Sequence, residues 1–137
     1  MFSSIMVPVD LEHADSLEKA LRAAADLSGL YNATASLVGV TASAPSAVAH
    51  NPEEYAEKLD AFAAAQQAKL GVVFAAKAMV SHDPAVDLVK TLEAAAEQLN
   101  ADLIVMASHV PGFADYIIAS NAGHLASHVN VSVMVIR

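Results

Sequence analysis

The sequence predicts an α/β fold, a single doubly wound domain over residues 1–137 with a five-stranded parallel sheet and helices on both of its faces. Three observations lead there. Short apolar runs alternate with helix-patterned segments in the order βαβαβαβαβ. The strand runs are apolar on both sides, as strands covered on both faces must be. No Gly/Ser-rich linker or low-complexity segment divides the chain. At 137 residues the chain suits one domain, burying about two-thirds of its unfolded surface.

The elements follow in order. "SIMVPVD" is an apolar run ending at a turn residue, Asp10. "DSLEKALRAAADL" places Leu17, Leu21, Ala24 and Leu27 at helical spacing, and Asp15 with Glu18 three residues later reads as a capping box. "ATASLVGVTA" is the second strand. Thr41 to Asn51 is small and polar, either a flap over a crevice or an ordinary loop. Asn51 as N-cap, Pro52 at the first helical position, and Glu53 and Glu54 near the positive end of the dipole open the next helix, with Tyr55, Leu59, Phe62 and Gln66 on one face. "VVFAAKAMVS" is the third strand, blurred by its alanines. Asp83-Pro84 repeats the N-cap signature, "ADLIVMAS" is a wholly apolar fourth strand, and "VSVMVIR" closes the chain as the fifth.

Composition narrows the function. A net charge of −8 and a pI near 5.0, with no basic stripe, argue against a nucleic-acid partner. Without cysteine there is no thiol catalysis and no cysteine-ligated zinc. Mean hydropathy is high, +0.44, yet no apolar run reaches the roughly 18 residues of a membrane span. The opening "MFSSIMVPVD" lacks the basic n-region of a signal peptide, so a cytoplasmic location is expected.

In a doubly wound sheet ligands bind beyond the carboxyl ends of the strands, where strand order reverses. That rule directs attention to Asp10 and to the stretch "ASHVPGFADYIIASNAGHLASH" after the fourth strand. "IMVPVD", "DLIVMASH" and "VSVMVIR", in this order and spacing, resemble the universal stress protein family over the whole chain. Ala107-Ser108-His109, Pro111, Tyr116 and Ser120-Asn121-Ala122 look most like its F/G-type branch.

The resemblance implies a sheet of order 3-2-1-4-5 and a homodimer. It also implies an adenine nucleotide, ATP or AMP (with Mg²⁺ if ATP), held in part by a G-x2-G-x9-G-[S/T] loop between the fourth strand and the last helix. Carried over residue by residue, Asp10 contacts the adenine or ribose, Pro8 and Val9 shape the turn, and Val40 gives backbone contacts and an apolar wall. Met106 and His109 line the fourth-strand side, and Ala107, Val110, Ser120 and Asn121 lie in the phosphate loop. This loop is one residue shorter than the pattern and lacks its glycines. Ala107 and Ala119 replace the first and last, and Val110-Pro111 occupies the region of the middle one. Alanine adds a methyl where phosphate oxygens approach, and proline removes an N–H donor. Ser120 and Asn121 still suit a helix N-terminus that presents N–H groups to an anion, and they suit a plain N-cap equally.

Other residues read blandly. His124 and His128 sit i and i+4, a metal-clamping spacing, but without a cysteine or a carboxylate close in sequence no metal is assigned. Tyr116 reads as a packing anchor and Asp115 as an N-cap. "VSVMVIR" falls at a sheet edge in the implied order, so Val131 to Ile136 is the expected two-fold interface. No Walker lysine, Mg²⁺-binding carboxylate pair near the loop or base for water is evident, so enzymatic activity is at most a slow ATPase. Two functions therefore stand: a regulatory stress-response protein that binds adenine nucleotide, or an interaction module without nucleotide, such as a regulatory partner of a membrane transporter.

Overall fold

The computed structural model describes residues 1–107 and 130–137. In chain order the elements are β1 (Ser4–Val9), a 3-10 segment (Leu11–Leu17), α1 (Glu18–Tyr31), β2 (Thr34–Ala42), α2 (Pro52–Leu70), β3 (Phe74–Ser81), α3 (Pro84–Gln98), β4 (Leu103–Ala107) and β5 (Ser132–Ile136). The strands form one parallel five-stranded sheet of order β3-β2-β1-β4-β5. The expected class and strand order both hold. The expected last helix lies outside the described residues.

The period-2 alternation of the strands divides the core in two. Ile5, Val7, Val9, Leu37, Leu103 and Val105 face α1 and α2, where Leu21, Ala24, Tyr55, Leu59 and Ala63 meet them together with Leu17 of the 3-10 segment. Met6, Val38, Ile104 and Met106 point the other way and pack against Leu88, Leu92, Ala95 and Ala96 of α3. Ile5, Met6 and Val7 are all at 0% exposure, and each fully buried side chain of this kind stabilises the fold by about 1.5–3 kcal/mol. Burial on both faces is why the strands lack a polar alternation.

Helix ends explain where the elements stop. Asn51 accepts from the Glu54 N–H at 2.8 Å, with Pro52 behind it, as its sequence position implied. α2 ends at Gly71, whose φ of 76° lets its N–H bond to Gln67 O. α1 ends at Asn32 in the same left-handed region, with φ of 53°. Two cap expectations need correction. Asp15 does not cap α1: it lies inside the 3-10 segment, and α1 starts at Glu18 without a side-chain cap. The capping role in this stretch falls earlier, to Asp10. Asp83 precedes α3 as expected but makes no side-chain cap bond, its carbonyl instead accepting from the N–H groups of Val86 and Asp87.

At the amino ends of the strands Asp102 ties β1 to β4. Its carboxylate accepts from Ser3 N at 2.8 Å and Ser4 N at 3.0 Å. Desolvation, the largest single influence, pushes this carboxyl up, but the N–H donors together outweigh it and hold it below its ordinary range.

Candidate functional site: the carboxyl ends of β1, β2 and β4

β1 and β2 pair along the whole of β1, from Ser4↔Thr34 to Val9↔Gly39. The β1–β4 ladder covers Ile5↔Leu103 and Met6↔Ile104 and goes no further. Pro8 has no N–H with which to continue it. At their carboxyl ends β1 and β4 therefore stop pairing, and these are the strands at which the sheet order reverses. Such a parting is the ordinary place for a ligand in a doubly wound sheet.

Asp10 stands at the mouth of this parting. Its Oδ1 accepts from the Glu12 N–H at 3.0 Å, and its main-chain oxygen accepts from the His13 N–H at 3.1 Å. Oδ2 lies 2.9 Å from His13 Nδ1. These bonds make the 3-10 turn in place of a direct entry into α1, and they fix the carboxylate in one orientation. The hydrogen bond to Asp10 raises the pKa of His13 above 6.5, opposed by desolvation and aided by the charges of Asp10 and Glu12. Asp10, Glu12 and His13 bring ligand-type atoms within 4.8 Å of one another. Two of the three are already bonded together, so the group reads as a closed ion pair rather than an open cage.

The remaining expected residues divide by the face they occupy. Pro8 is buried, Val9 belongs to the α1/α2-side core and Met106 to the α3-side core, at 1% and 3% exposure. Only main-chain atoms of Val9 and Met106 are therefore offered to a ligand. Val40 is half-buried at the end of β2, packed against the α3-side core. Ala107 ends β4, paired with Ile136. The register brings Val9 and Asp10 beside Gly39 and Val40 on one edge of the crevice, and β4 supplies the other edge. His109, Val110, Ser120 and Asn121, with Asp115, Tyr116, His124 and His128, lie outside the described residues.

Three neighbours of Asp10 were not singled out in the sequence. One is His13. The second is Gly39, an isolated glycine inside a strand, the usual mark of a close approach. The third is Tyr55, whose ring lies over Gly39: a Cβ built there would stand 2.3 Å from Tyr55 Oη. Burial raises the Tyr55 phenol pKa well above its ordinary value, and the charge of Asp10 adds to the effect.

Of the stretch Thr41 to Asn51, Thr41 and Ala42 still belong to β2, paired with Val80 and Ser81, and residues 43–51 form an anchored loop. Ser46 N donates to Ala49 O at 2.8 Å, and Ser46 Oγ accepts from Val48 N and Ala49 N. Glu54 Oε2 receives both the N–H and Nδ1 of His50 at 2.9 Å, and Lys58 Nζ reaches Val48 O. Ala49 is buried beneath. The loop is thus fastened to the first turns of α2, the helix that carries Tyr55.

Comparison with known proteins agrees with this fold. The sequence pattern of the Universal stress protein family matches residues 1–137. No curated protein sequence matches the chain. Among solved structures, a universal stress protein in complex with cAMP superposes with a TM-score of 0.69 at 15% identity, covering 99% of this chain and 97% of that one. A universal stress family protein from Burkholderia pseudomallei gives 0.65 at 26% identity, with 98% and 95% covered. A universal stress protein from Archaeoglobus fulgidus in complex with dAMP gives 0.60 at 23% identity, with 98% of each covered.

Proposed function

The chain belongs to the universal stress protein family, and on that premise we propose that it is a stress-response regulatory protein binding an adenine nucleotide, ATP or AMP, in the crevice at the carboxyl ends of β1 and β4. The observation that carries this reading is the oriented Asp10 carboxylate at the place where the β1–β4 ladder ends. Similar proteins described with cAMP and dAMP support the adenine assignment. The residues present suit a nucleoside. Asp10 accepts from the ribose or adenine, Val40 offers an apolar wall and main-chain groups, and Val9, Met106 and Ala107 contribute main chain. Pro8 closes the turn beneath.

In this reading His109, Val110, Ser120 and Asn121 follow the base and phosphates, with Mg²⁺ accompanying ATP. The chain acts in the cytoplasm as one domain of the F/G-type branch. It pairs with a second copy through Val131 to Ile136, because β5 is an edge strand whose outer backbone groups need a partner. Turnover of the nucleotide is at most slow.

A second reading has its own observation, the loss of all three loop glycines from the sequence between Ala107 and Ser120. It makes the protein an interaction module without nucleotide, for example a regulatory partner of a membrane transporter. No helix among the described residues is long and apolar enough to cross a membrane itself. Mass spectrometry of small molecules released from the purified protein separates the two. An adenine nucleotide in stoichiometric amount supports the first reading. Its absence, together with no uptake from millimolar ATP or AMP, favours the second.

A further inference from the structure

Tyr55 carries a hydroxyl that the described fold does not use. The residue as a whole is only 4% exposed, and its Oη makes no hydrogen bond to a described residue, yet it is not, like Ser81 Oγ, a buried polar atom left without a partner among the described residues. The placement of the ring is specific. Of the β2 residues it is Gly39 that lies under it, where a Cβ would meet Oη at 2.3 Å, so the strand has made room for this side chain. Gly39 pairs with Val9, the residue before Asp10. Adjacent strands are about 4.8 Å apart, so the main chain at Gly39, under the phenol, lies one strand from Val9, which leads directly into Asp10. Burial, aided by the charge of Asp10, keeps the phenol protonated and a donor.

The site thus sets a donor beside an acceptor. Asp10 Oδ1 already takes the Glu12 N–H, and Oδ2 faces His13. A carboxylate has about four acceptor positions, so both oxygens retain capacity. Adjacent hydroxyls suit this arrangement, since each can donate to one group and accept from the other.

We propose that Tyr55 is a specificity-determining residue of the crevice, its hydroxyl donating to the 2′-hydroxyl of the ligand's ribose while Asp10 accepts from the neighbouring 3′-hydroxyl, so that the crevice selects a ribonucleotide over its 2′-deoxy counterpart. The proposal rests on the nucleotide reading above and adds a residue and a selectivity to it. Tyr55→Phe keeps the ring over Gly39 and removes only the donor.

Titration calorimetry of AMP and 2′-deoxy-AMP against the wild type and Tyr55→Phe tests it. The wild type should bind AMP about five- to tenfold more tightly than 2′-deoxy-AMP, the worth of one hydrogen bond. Tyr55→Phe should lose that margin by weakening AMP and leaving 2′-deoxy-AMP unchanged. Equal weakening of both ligands, a change in neither, or a wild type that does not discriminate would each overturn the proposal. If Tyr55→Phe fails to fold, NMR of the Tyr55 ring in the wild type decides: its resonances should shift with AMP and not with 2′-deoxy-AMP, and the same shift with both ligands or with neither counts against the proposal. A wild type that binds neither nucleotide removes the nucleotide reading itself. One that binds both while Tyr55→Phe behaves identically removes only the role of Tyr55.

Discussion

Gly39→Ala should destabilise the protein through one contact. The new Cβ would stand 2.3 Å from Tyr55 Oη, 2.9 Å from Cε1 and 3.0 Å from Cζ. Carbon atoms rest at about 3.5–4.0 Å from one another, so the ring must retreat by roughly 1 Å. It cannot swing freely: Tyr55 is buried and its helix is anchored in the same core by Leu59 and Ala63. No left-handed φ is present at Gly39, so backbone strain adds nothing and the cost is steric. Overpacking of this kind costs about 1–3 kcal/mol. Urea denaturation followed by circular dichroism reads it as a lower midpoint at unchanged slope. In a melt it is a loss of about 3–5 °C per kcal/mol for a chain of this size. Tyr55→Phe removes the nearest atom but leaves Cε1, so Gly39→Ala/Tyr55→Phe should recover part of the loss. An unchanged midpoint in Gly39→Ala, or a double variant no more stable than additivity allows, would refute the packing described.

Two further expectations concern pH. The N–H and then the ring of His50 hold the Glu54 carboxyl down to about 2, from an ordinary 4.5, against opposing desolvation and with help from Lys58. Because the folded pKa is the lower one, this stabilisation is full above about pH 4.5 and is lost as the pH falls toward 2. Glu54→Gln should therefore be less stable than the wild type at pH 6, with the gap narrowing below about pH 4.5 and closing only toward pH 2; a gap independent of pH would contradict it. His13 has the opposite sign. Its folded pKa is raised above 6.5, so its pairing with Asp10 stabilises fully below that value and is lost as pH rises through the folded pKa. An NMR titration of the His13 ring should show a midpoint above 6.5 that falls in Asp10→Asn, and an identical midpoint in both proteins would exclude the pair.

Local signals in the sequence were read most accurately. Asn51-Pro52 opens α2 at the residue expected, because an N-cap acts within one turn and its chemistry is local. The alternation of strands and helices followed from the apolar pattern, and the order of the strands in the sheet from the resemblance. Asp15 was misplaced for a physical reason. Asp10 bonds first to the Glu12 N–H and His13, which delays α1 to Glu18, and an Asp at either position satisfies the same pattern. The approach of Tyr55 to Gly39 was not legible, since it joins a helix face to a strand across the loop between them. Only the isolated glycine hinted at it. The loop before α2 stood open between a flap and a connector, and the bonds from His50 and Lys58 to its surroundings were invisible in composition alone. Of the candidate residues, position at a strand end was readable but the face was not. Val9 and Met106 turn into opposite cores although both lie at or next to the end of a strand on the same rim.

The central claim is that the crevice at Asp10 binds an adenine nucleotide. Titration calorimetry of AMP and ATP against the wild type and Asp10→Asn addresses it most directly. Binding to the wild type with a Kd below a millimolar, weakened about tenfold or more in Asp10→Asn as the loss of a charged acceptor requires, is the expected result. No binding by the wild type at millimolar nucleotide, or equal binding by the two proteins, would contradict it.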